Sequence, residues 1–463
     1  MCRLVNYFPS QDLMLTRLPT ADYRLAAMIH PMRIAWFSPL PPVRSGIAAY
    51  SAGLVPRLAS AHAIDCFSEA NARDFAWQAR RDPYDLVVYQ LGNAPCHDFM
   101  WGYLAAHPGL VVLHDARLHQ ARARALLQQK RFDDYRREFW HDHPDAARDV
   151  VEYAVEGLGG PIYYLWPMLR VVLQTARLVA VHNPRVAADL REEFPGTTID
   201  AIRLGTAPLA ADTAARGRTR ASLGVPDDAV LFAAFGKITA EKRVRAILGA
   251  FDALARERAD VHLLLAGDAT DYPALTPMLA LSAHAARVHV TGYVADETIG
   301  EYLTAADACL CLRWPTALES SASWLQCLSA ARATVITDLA HLVDIPTLDP
   351  RSWRAPHASA DPVAIAIDLL DEDESLRVAM RALADDGGLR ERLGRAGHAY
   401  WSAHHTLEVM AGDYERLIAH AAARPAPVIT DLPAHFTNDY SAKARAITDR
   451  FGITLDERLS LKF

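Results

Sequence analysis

The sequence lacks the marks of a disulfide-stabilised, membrane-spanning or nucleic-acid-binding protein. Its six cysteines among 463 residues form no CxxC pair, so we expect reduced thiols in a cytosolic compartment. The net charge of -7 argues against a cationic nucleic-acid binder. The most apolar stretch, residues 162–182, is interrupted by Pro167, Arg170 and Arg177, whereas a membrane span needs about 20 apolar residues. These absences predict a cytoplasmic protein without a transmembrane anchor.

Several catalytic motifs are also missing. The loop at residues 41–47 does not match GxGxxG, and no suitably placed P-loop consensus exists, which disfavours a dinucleotide-dependent enzyme and an NTPase. No GxSxG elbow lies between a strand and a helix, which disfavours Ser/His/Asp hydrolysis. Histidines and acids occur together at residues 114–119 and 141–143, but neither group has the spacing of a defined metal site. We therefore expect neither a metal nor a cofactor.

What the sequence does contain is two successive series of short apolar runs, each run followed by a helix-length segment. Such alternation predicts parallel sheets covered by helices. Between the series, residues 206–226 lose apolar periodicity and gain Gly, Pro, Thr and Arg, as an interdomain linker would. The predicted fold class is α/β, with two facing Rossmann-like domains at residues 32–205 and 227–400 and a cleft between them.

Four further segments complete the predicted organisation. Residues 1–31 lack the apolar core of a signal peptide and are expected to be a poorly ordered N-terminal extension. A mainly helical insertion occupies about residues 118–174 of the first domain. After the second domain come a final helix at residues 401–421 and a Pro-containing tail at residues 424–463.

The strongest local pattern opens the second domain, where an apolar run ends in Gly236 and Lys237 and Lys242 flank the entry into a helix. A helix start offers free N–H groups and a partial positive charge, and two ammonium groups beside it suit a diphosphate without a metal. The alternative is that both lysines are merely solvated. Ligands of open α/β sheets bind beyond the carboxyl ends of the strands, which favours the diphosphate site.

A second pattern follows another apolar run of the second domain and leads into a helix. Glu319 offers a carboxylate to sugar hydroxyls, and the small residues 320–323 let a ligand approach the backbone amides at the helix start. The alternative is that Ser320 and Ser321 are helix caps and that Glu319 is a surface acid favoured by the helix dipole.

The first domain offers two strand-end segments of its own. Ser45 and Gly46 lie in a loop between the opening strand and a helix, where glycine permits close backbone approach. The third apolar run ends in His114 and Asp115, with His119 close behind, and these side chains are expected to point into the interdomain cleft.

Taken together, these motifs resemble the family 4 glycosyltransferases of the GT-B fold. The resemblance covers about residues 33–420, and its motifs appear in the family's order: SGIAAYS, LVVLHD, AVHNP, IRLG, FGKITAEKR, VHVTGYV and the Glu319 segment. The final helix is similar to the family's crossover helix, which returns to the first domain. The resemblance makes the first domain the acceptor side, shaped in part by the insertion, and the second the nucleotide-sugar side.

The resemblance also implies roles for individual residues. Lys237 and Lys242 match the basic pair that contacts the donor diphosphate, Glu319 matches the acid that binds sugar hydroxyls, and His114 matches a histidine near the sugar. The other expected donor-binding residues are Ser45, Gly46, Gly236, Tyr293, Val294, Arg313, Ser320, Ser321, Ala322, Ser323 and Cys327. The expected acceptor-side residues are Asn93, Asp115 and His119.

One position departs from the family pattern. The family's second acid, which usually binds the ribose, lies eight residues after the first, and Cys327 stands there. A thiol is a weak hydrogen-bonding group, so we expect lower nucleotide affinity or substitution by a neighbour such as Gln326.

The function implied by the resemblance is retaining, metal-independent transfer of a sugar from a nucleoside diphosphate sugar to an acceptor hydroxyl. The acceptor is expected to be a glycan, a lipid-linked molecule or a small molecule, with peripheral contact to the inner face of the membrane left open. Two alternatives also stay open: a nucleotide-sugar epimerase or hydrolase of the same fold, and a non-catalytic nucleotide-sugar-binding protein.

Overall fold

The computed structural model describes residues 31–209, 213–355, 360–437 and 446–452. All but the last residue of the predicted N-terminal extension, and most of the segment after residue 437, lie outside these ranges. Two sheets of parallel strands, each flanked by helices, confirm the predicted α/β fold class. No helix of the described residues is both long and apolar enough to cross a membrane.

The first sheet has six strands in the order β2-β1-β3-β4-β5-β6, and every neighbouring pair is parallel. The central strands β3, β4 and β5 are buried along their whole length, which explains why the sequence shows them as continuous apolar runs. The strands are β1 (Arg33–Phe37), β2 (Ala63–Phe67), β3 (Leu86–Leu91), β4 (Leu110–Leu113), β5 (Leu178–Val181) and β6 (Ile199–Ala201).

Helices cover this sheet and build the predicted insertion. They are α1 (Gly46–Leu58), α2 (Phe75–Arg81), α3 (Trp101–Leu104), α4 (His119–Leu127), α5 (Phe132–Asp142), α6 (Arg148–Val155), α7 (Ile162–Leu165), α8 (Arg170–Thr175) and α9 (Pro184–Glu193). Helices α4 to α8 lie between β4 and β5 and enclose a small core of their own around Tyr135 and Phe139. The insertion is therefore a packed helical unit beside the sheet.

The second sheet has seven strands in the order β12-β13-β11-β10-β7-β8-β9, again with parallel neighbours. The strands are β7 (Val230–Phe235), β8 (Val261–Ala266), β9 (Val288–Gly292), β10 (Ala308–Cys311), β11 (Ala333–Thr337), β12 (Thr347–Leu348) and β13 (Ala364–Ile367). The remaining helices are α10 (Thr213–Leu223), α11 (Val244–Glu257), α12 (Leu275–Leu281), α13 (Ile299–Ala305), α14 (Ala322–Ser329), α15 (Glu372–Asp385), α16 (Gly387–His404), α17 (Leu407–Ala422) and α18 (Ala434–Thr437).

The segment predicted to be a linker contains helix α10, which corrects the expectation for residues 206–226. The helix docks on the second domain through its arginines: Arg220 is fully buried, donates to Ala305 O at 2.8 Å and pairs with Asp307 at 3.2 Å. The loss of apolar periodicity and the gain of arginine predicted an interdomain linker, whereas Arg220 binds a carbonyl group that would otherwise be buried and unpaired.

The predicted crossover helix at residues 401–421 is two helices. Helix α16 ends at His404, and α17 begins after Thr406, whose side chain accepts a hydrogen bond from Val409 N. Helix α17 then packs against α1 and the first sheet, where Tyr414 and Met410 are fully buried. This core also includes Trp324 and Leu328 of α14, so one apolar cluster spans both domains.

Candidate active site

The carboxyl ends of the two sheets face one another, and hydrogen bonds join the loops that follow the strands. Ala116 N donates to Ala317 O at 2.8 Å, Ser320 Oγ to His182 O at 3.0 Å and Asn183 Nδ2 to His341 O at 2.8 Å. Because each bond pairs a first-domain residue with a second-domain residue, the strand-end segments selected from the sequence lie along one interdomain cleft.

Lys242 and Gly236 form the centre of the second-domain side. The Lys242 ammonium donates to Phe235 O at the end of β7. Gly236 has a φ of +86°, and a Cβ added there would lie 2.7 Å from Lys242 Nζ and 2.9 Å from Ser323 Oγ. The turn therefore requires glycine, and it brings an ammonium group and a hydroxyl together at the start of α14. Burial, with the charge of Arg313 as a second cause, lowers the pKa of Lys242 to about 8.

Lys237 has a different environment from Lys242. Its side chain is 55% exposed and pairs with Asp271, which is 64% exposed. An exposed ion pair of this kind contributes little to stability, so the Lys237 ammonium is available to another anion at small cost. The structure thus separates the two lysines: one is enclosed beside Gly236, and the other lies at the solvent edge of the cleft.

Glu319 is held on several sides within the loop that precedes α14. It accepts hydrogen bonds from Thr316 Oγ1 and Ala317 N, each at 2.8 Å, and pairs with Arg313 Nε at 2.8 Å. Its side chain is only 13% exposed. A carboxylate has about four acceptor positions, so these three contacts fix Glu319 and leave room for one further donor.

The small residues around the start of α14 have unequal roles. Ser321 caps the helix by accepting from Trp324 N at 3.2 Å, which was the alternative interpretation of this residue. Ser320 is engaged with His182 O across the cleft, while Ala322 at the helix start is exposed. Together with Ser323 beside Gly236, they bring the first turn of α14 close to the turn at residues 236–242.

Cys327 does not reach the donor cleft, which corrects its assignment as a donor-binding residue. It is fully buried on α14, its Sγ lies 3.8 Å from Cys311 Sγ, and it belongs to the apolar cluster beneath the sheet. Burial raises the pKa of the Cys327 thiol well above its usual value. The position of the family's second acid is thus part of the core in this chain.

The mouth of the cleft is formed by Tyr293 and by the loop before α1. Tyr293 is 50% exposed, and the Arg44 guanidinium lies 4.4 Å from its ring centroid, across the domain boundary. Ser45 caps α1 by accepting from Ile47 N at 3.1 Å, and Gly46 has open space at its Cα. Val294, after β9, packs partly into the second-domain core. A planar ring and the capped start of α1 therefore frame this end of the cleft.

His114 belongs to a buried hydrogen-bond network that reaches the returning helix. Its Nε2 lies 2.8 Å from Gln90 Oε1, Gln90 Nε2 donates to Tyr414 OH at 3.0 Å, and the hydroxyls of Tyr414 and Tyr50 are 2.6 Å apart. Burial lowers the pKa of His114 well below its usual value, with His182 as the next cause. The ring is therefore neutral, and Gln90 fixes its orientation.

Asp115 carries the most perturbed carboxyl of the cleft. Its Oδ2 accepts from Asn93 N at 2.6 Å, while burial and then the Glu319 carboxylate raise its pKa to about 7. The side chain of Asn93 is already engaged, because Nδ2 donates to Arg117 O at 2.7 Å and Oδ1 accepts from Ala121 N at 3.0 Å. Asn93 therefore holds the loop, and its amide is not free for the acceptor as the sequence had suggested.

His119 is the clearest error among the acceptor-side predictions. It is fully buried inside the insertion, with Nδ1 at 2.8 Å from Trp166 O and Nε2 at 2.7 Å from Tyr135 OH. Helix α4 starts at His119 and turns the side chain away from the cleft. Across the described residues, no three His, Cys, Asp or Glu side chains come together as metal ligands would.

Sequence reasoning missed three residues of the cleft. Tyr164 of the insertion donates to Glu241 Oε1 at 2.9 Å, and Glu241 O accepts from Trp314 N at 2.7 Å. Glu241 therefore links the insertion, the turn at residues 236–242 and the loop that contains Glu319. His182 follows β5 directly, and the rule of inspecting residues after each apolar run would have found it. No sequence signal singled out Tyr164.

Comparisons with known proteins identify the class of enzyme to which this chain belongs. Residues 229–370 match the family model described as glycosyl transferases group 1. The fold is similar to that of Anabaena HepE in complex with UDP-glucose, with a TM-score of 0.58, 12% identity and coverage of 84% of this chain and 100% of that one. The chain is therefore an enzyme of the glycosyltransferase class, with the GT-B fold.

Two further solved structures share this fold at low identity. Sucrose-phosphate synthase from Thermosynechococcus elongatus has a TM-score of 0.59 and 14% identity, covering 84% of this chain and 98% of that one. WaaG, a glycosyltransferase involved in lipopolysaccharide biosynthesis, has a TM-score of 0.55 and 14% identity, covering 83% and 99%. No curated protein sequence matches significantly. The predictions of a GT-B fold and of a glycosyltransferase are thus confirmed.

Proposed function

We propose that this enzyme transfers a sugar from a nucleoside diphosphate sugar to an acceptor hydroxyl, with retention at the anomeric carbon and without a metal. The observation that carries the proposal is the enclosed ammonium of Lys242 beside Gly236 and Ser323, at the strand end where two domains meet. A positive charge fixed in a partly buried site stabilises a phosphate more strongly than a solvated one does.

The proposed reaction begins at the bond between the sugar C1 and the diphosphate oxygen. As this bond lengthens, positive charge develops on the sugar and negative charge on the leaving phosphate, and Lys242 stabilises the phosphate. Lys237, exposed at the edge, offers a second cation once it leaves Asp271. The departing phosphate oxygen then takes the proton of the acceptor hydroxyl while the new C1–O bond forms on the same face.

Glu319 is proposed to orient the transferred sugar. Three donors already hold its carboxylate, so a sugar hydroxyl would take the remaining acceptor position without moving the side chain. Glu319 is therefore a binding residue in this scheme, in keeping with a reaction that needs no carboxylate nucleophile. His114 lies on the other side of the cleft, where the resemblance to family 4 places a histidine close to the sugar.

A uridine diphosphate sugar is the first donor to test, because HepE was solved with UDP-glucose and shares the fold. The half-exposed ring of Tyr293, with Arg44 against its face, is proposed to lie beside the base at the mouth of the cleft. We further propose a cytoplasmic location, with peripheral contact to the inner face of the membrane where the acceptor is lipid-linked.

The experiment that tests the function is a thermal-shift screen of UDP-, GDP- and ADP-sugars, followed by mass spectrometry of products from cell extract. A binding donor raises the unfolding temperature, because it binds the folded state alone. We expect one donor class to stabilise the protein and a glycosylated product to form. Stabilisation without any product would favour the non-catalytic alternative, and a changed sugar without an acceptor would favour an epimerase.

A further inference from the structure

Tyr164 of the insertion makes a hydrogen bond across the interdomain cleft. It lies in α7 of the first domain, and its hydroxyl donates to Glu241 Oε1 at 2.9 Å. Glu241 belongs to the second domain and directly precedes Lys242 in the turn at residues 236–242. The bond therefore connects the domain that the resemblance assigns to the acceptor with the turn that carries both lysines of the donor side.

The two adjacent tyrosines of α7 have different partners. The ring of Tyr163 lies 5.0 Å from that of His119, inside the insertion, and a Cβ added at Gly159 would lie 2.2 Å from the Tyr163 hydroxyl. Tyr163 thus packs over a residue that must lack a side chain. One tyrosine holds α7 to the insertion, while Tyr164 holds it to the second domain.

The segment that leads into α7 has few constraints of its own. Gly157 has a φ of +84° and Gly160 is also in the positive region, while Leu158 and Leu165 are exposed. Glycine-containing surface segments with few apolar contacts open more readily than packed elements do. The position of α7 relative to the second domain therefore depends strongly on the Tyr164 hydroxyl.

Glu241 passes this contact on to the donor side. Its main-chain oxygen accepts from Trp314 N at 2.7 Å, and Trp314 follows Arg313, which pairs with Glu319 at 2.8 Å. Burial raises the pKa of Glu241, but hydrogen bonds from its own amide and from Tyr164 help to bring it below its usual value. The carboxylate is therefore ionised, and a charged acceptor makes a stronger hydrogen bond than a neutral one.

The Tyr164–Glu241 bond lies beside the place proposed for the transferred sugar. Burial and then the charge of Glu241 raise the pKa of Tyr164, and Glu319 and Arg313 are also within electrostatic range of its hydroxyl. The phenol is thus neutral and acts as the donor. Glu319 is the residue proposed to bind the sugar, so a contact that closes the cleft here would exclude water and align the acceptor with the donor.

We propose that Tyr164 is a positioning residue for sugar transfer: through Glu241 it holds the insertion against the turn of Lys242, so that the acceptor hydroxyl reaches the sugar C1 in place of water. The inference rests on the proposed sugar transfer and adds to it a residue of the insertion. Tyr164 acts through Glu241 and takes no proton from either substrate.

Hydrogen–deuterium exchange of the free protein tests the bond without donor or turnover. Tyr164→Phe removes the hydroxyl alone. We expect the amides of Lys242 and Trp314, which lie on either side of Glu241 in the second domain, to exchange about tenfold faster in this variant. Unchanged exchange in both peptides would overturn the proposal.

Tyr84→Phe is the matched control for this experiment. The Tyr84 hydroxyl also donates to a carboxylate, Asp65 Oδ2 at 2.7 Å, but both residues belong to the first domain. Its loss should leave exchange in the Lys242 and Trp314 peptides unchanged. Equal acceleration by both variants would mean that any lost tyrosine hydroxyl loosens the protein, which would contradict a specific role of Tyr164.

Turnover supplies the second measurement, with the donor found by thermal shift and cell extract as the source of acceptor. We expect Tyr164→Phe to lower the ratio of transfer to donor hydrolysis about tenfold, and Tyr84→Phe to leave it unchanged. Glu241→Ala should act like Tyr164→Phe, whereas Glu241→Gln keeps an oxygen that accepts from Tyr164 and should retain most of the ratio.

The two measurements also separate the failure of this inference from that of the proposed function. If the ratio is unchanged in a folded Tyr164→Phe protein, the bond is a structural contact only and the inference is wrong. If no nucleoside diphosphate sugar binds or reacts, the proposed function fails, and a role in transfer fails with it. The exchange result then still shows whether Tyr164 holds the turn at residues 236–242.

Discussion

The two sides of the interdomain cleft differ in charge. The second-domain side is ionic: Arg313 pairs with Glu319 at 2.8 Å, and the charge of Arg313 contributes to the lowered pKa of Lys242. The first-domain side carries three histidines at or just beyond the ends of β3, β4 and β5, and burial lowers the pKa of each: His97 to about 4, His114 well below its usual value and His182 to about 4. These histidines therefore add no positive charge to the cleft, whereas Lys242 and Arg313 do so on the second-domain side.

The neutrality of the first-domain side has a structural cause. The imidazoles of His97 and His182 face main-chain carbonyls through Nδ1, at 2.8 Å from Gln90 O and 3.2 Å from Ile202 O. The carbonyl acceptors fix the tautomer but by themselves raise the pKa of each ring, and burial, which penalises the charged form, outweighs them. The second-domain side instead keeps its charges because Arg313 and Glu319 compensate each other.

The largest expected effect comes from substituting a glutamate for the buried Cys327 of the second domain. Cys327→Glu restores the residue type expected at this position, but the site is fully buried among Cys309, Cys311 and apolar neighbours. We expect the free energy of unfolding to fall by about 3 kcal/mol or more, because a carboxylate bulkier than the thiol must be desolvated there. Lys242 and Arg332, which lie within electrostatic range of residue 327, offset only part of that cost. Urea unfolding measures it, with Cys327→Ala as the size-reducing control. A stable Glu variant with tighter donor binding would show that the position opens to the ribose.

The second prediction compares the two lysines. Lys242→Ala should lower kcat by about 10²-fold, or about 2.7 kcal/mol, because it removes an enclosed charge from the leaving phosphate. Lys237→Ala should have a much smaller effect, since this side chain is 55% exposed and already paired with Asp271. Steady-state kinetics with the donor identified by thermal shift measures both. Equal losses in the two variants would contradict the distinction between an enclosed and a peripheral cation.

The sequence predicted features that depend on local patterns, and it failed for features that depend on helix packing. The strand-helix alternation follows from backbone hydrogen bonding and burial, so both sheets were predictable from apolar runs. Lys242 and Glu319 were found because charged residues after strands are local signals. The buried state of Cys327 and His119, by contrast, depends on how α14 and α4 rotate in the packed structure, and single-sequence patterns do not determine that rotation.

Tertiary contacts across the chain were also beyond sequence reasoning. Tyr164 meets Glu241 and Tyr414 meets Gln90 over separations of 77 and 324 residues, and no local pattern encodes such pairs. Helix α10 gives a further example: its arginine-containing segment was predicted to be a linker, although Arg220 is fully buried against Asp307. A charged residue can be predicted to be exposed only where no residue elsewhere in the chain forms a buried ion pair with it.

The third prediction uses pH to test the first-domain side. The pKa of Asp115 is about 7 in the folded protein, against 3.8 as its ordinary value, so the folded state binds the extra proton between these pH values. Stability should therefore fall as pH rises from about 4 to about 7, by at most about 1.4 kcal/mol per pH unit. Asp115→Asn should reduce this slope by the contribution of one carboxyl, as measured by urea unfolding across that range.

A matched control separates stability from catalysis in this test. Asp142, buried in the insertion, also has a pKa raised to about 7, chiefly by burial. Asp142→Asn should likewise reduce the pH dependence of stability, but only Asp115→Asn should alter transfer kinetics, since Asp115 lies beside Glu319 in the cleft. A slope that is as steep in Asp115→Asn as in the unsubstituted protein would mean that the Asp115 carboxyl is ionised in the folded protein.

The smallest expected effect concerns the helix that links the two sides. Tyr414 of α17 shares hydrogen bonds with Tyr50 OH at 2.6 Å and Gln90 Nε2 at 3.0 Å, and Gln90 in turn holds His114. Tyr414→Phe should lower the free energy of unfolding by about 1 kcal/mol, because buried partners lose one hydrogen-bonding group. Its effect on kcat should be smaller than that of Lys242→Ala, since His114 keeps its contact with Gln90 Oε1.

A double-mutant cycle with Tyr50→Phe decides whether this network acts as a unit. Both substitutions remove the same hydroxyl-hydroxyl contact, so the double variant should cost less than the sum of the single ones. Strict additivity would mean that the two hydroxyls contribute independently. The crossover helix would then stabilise the first-domain side through apolar packing alone, and the orientation of His114 would depend on Gln90 without help from α17.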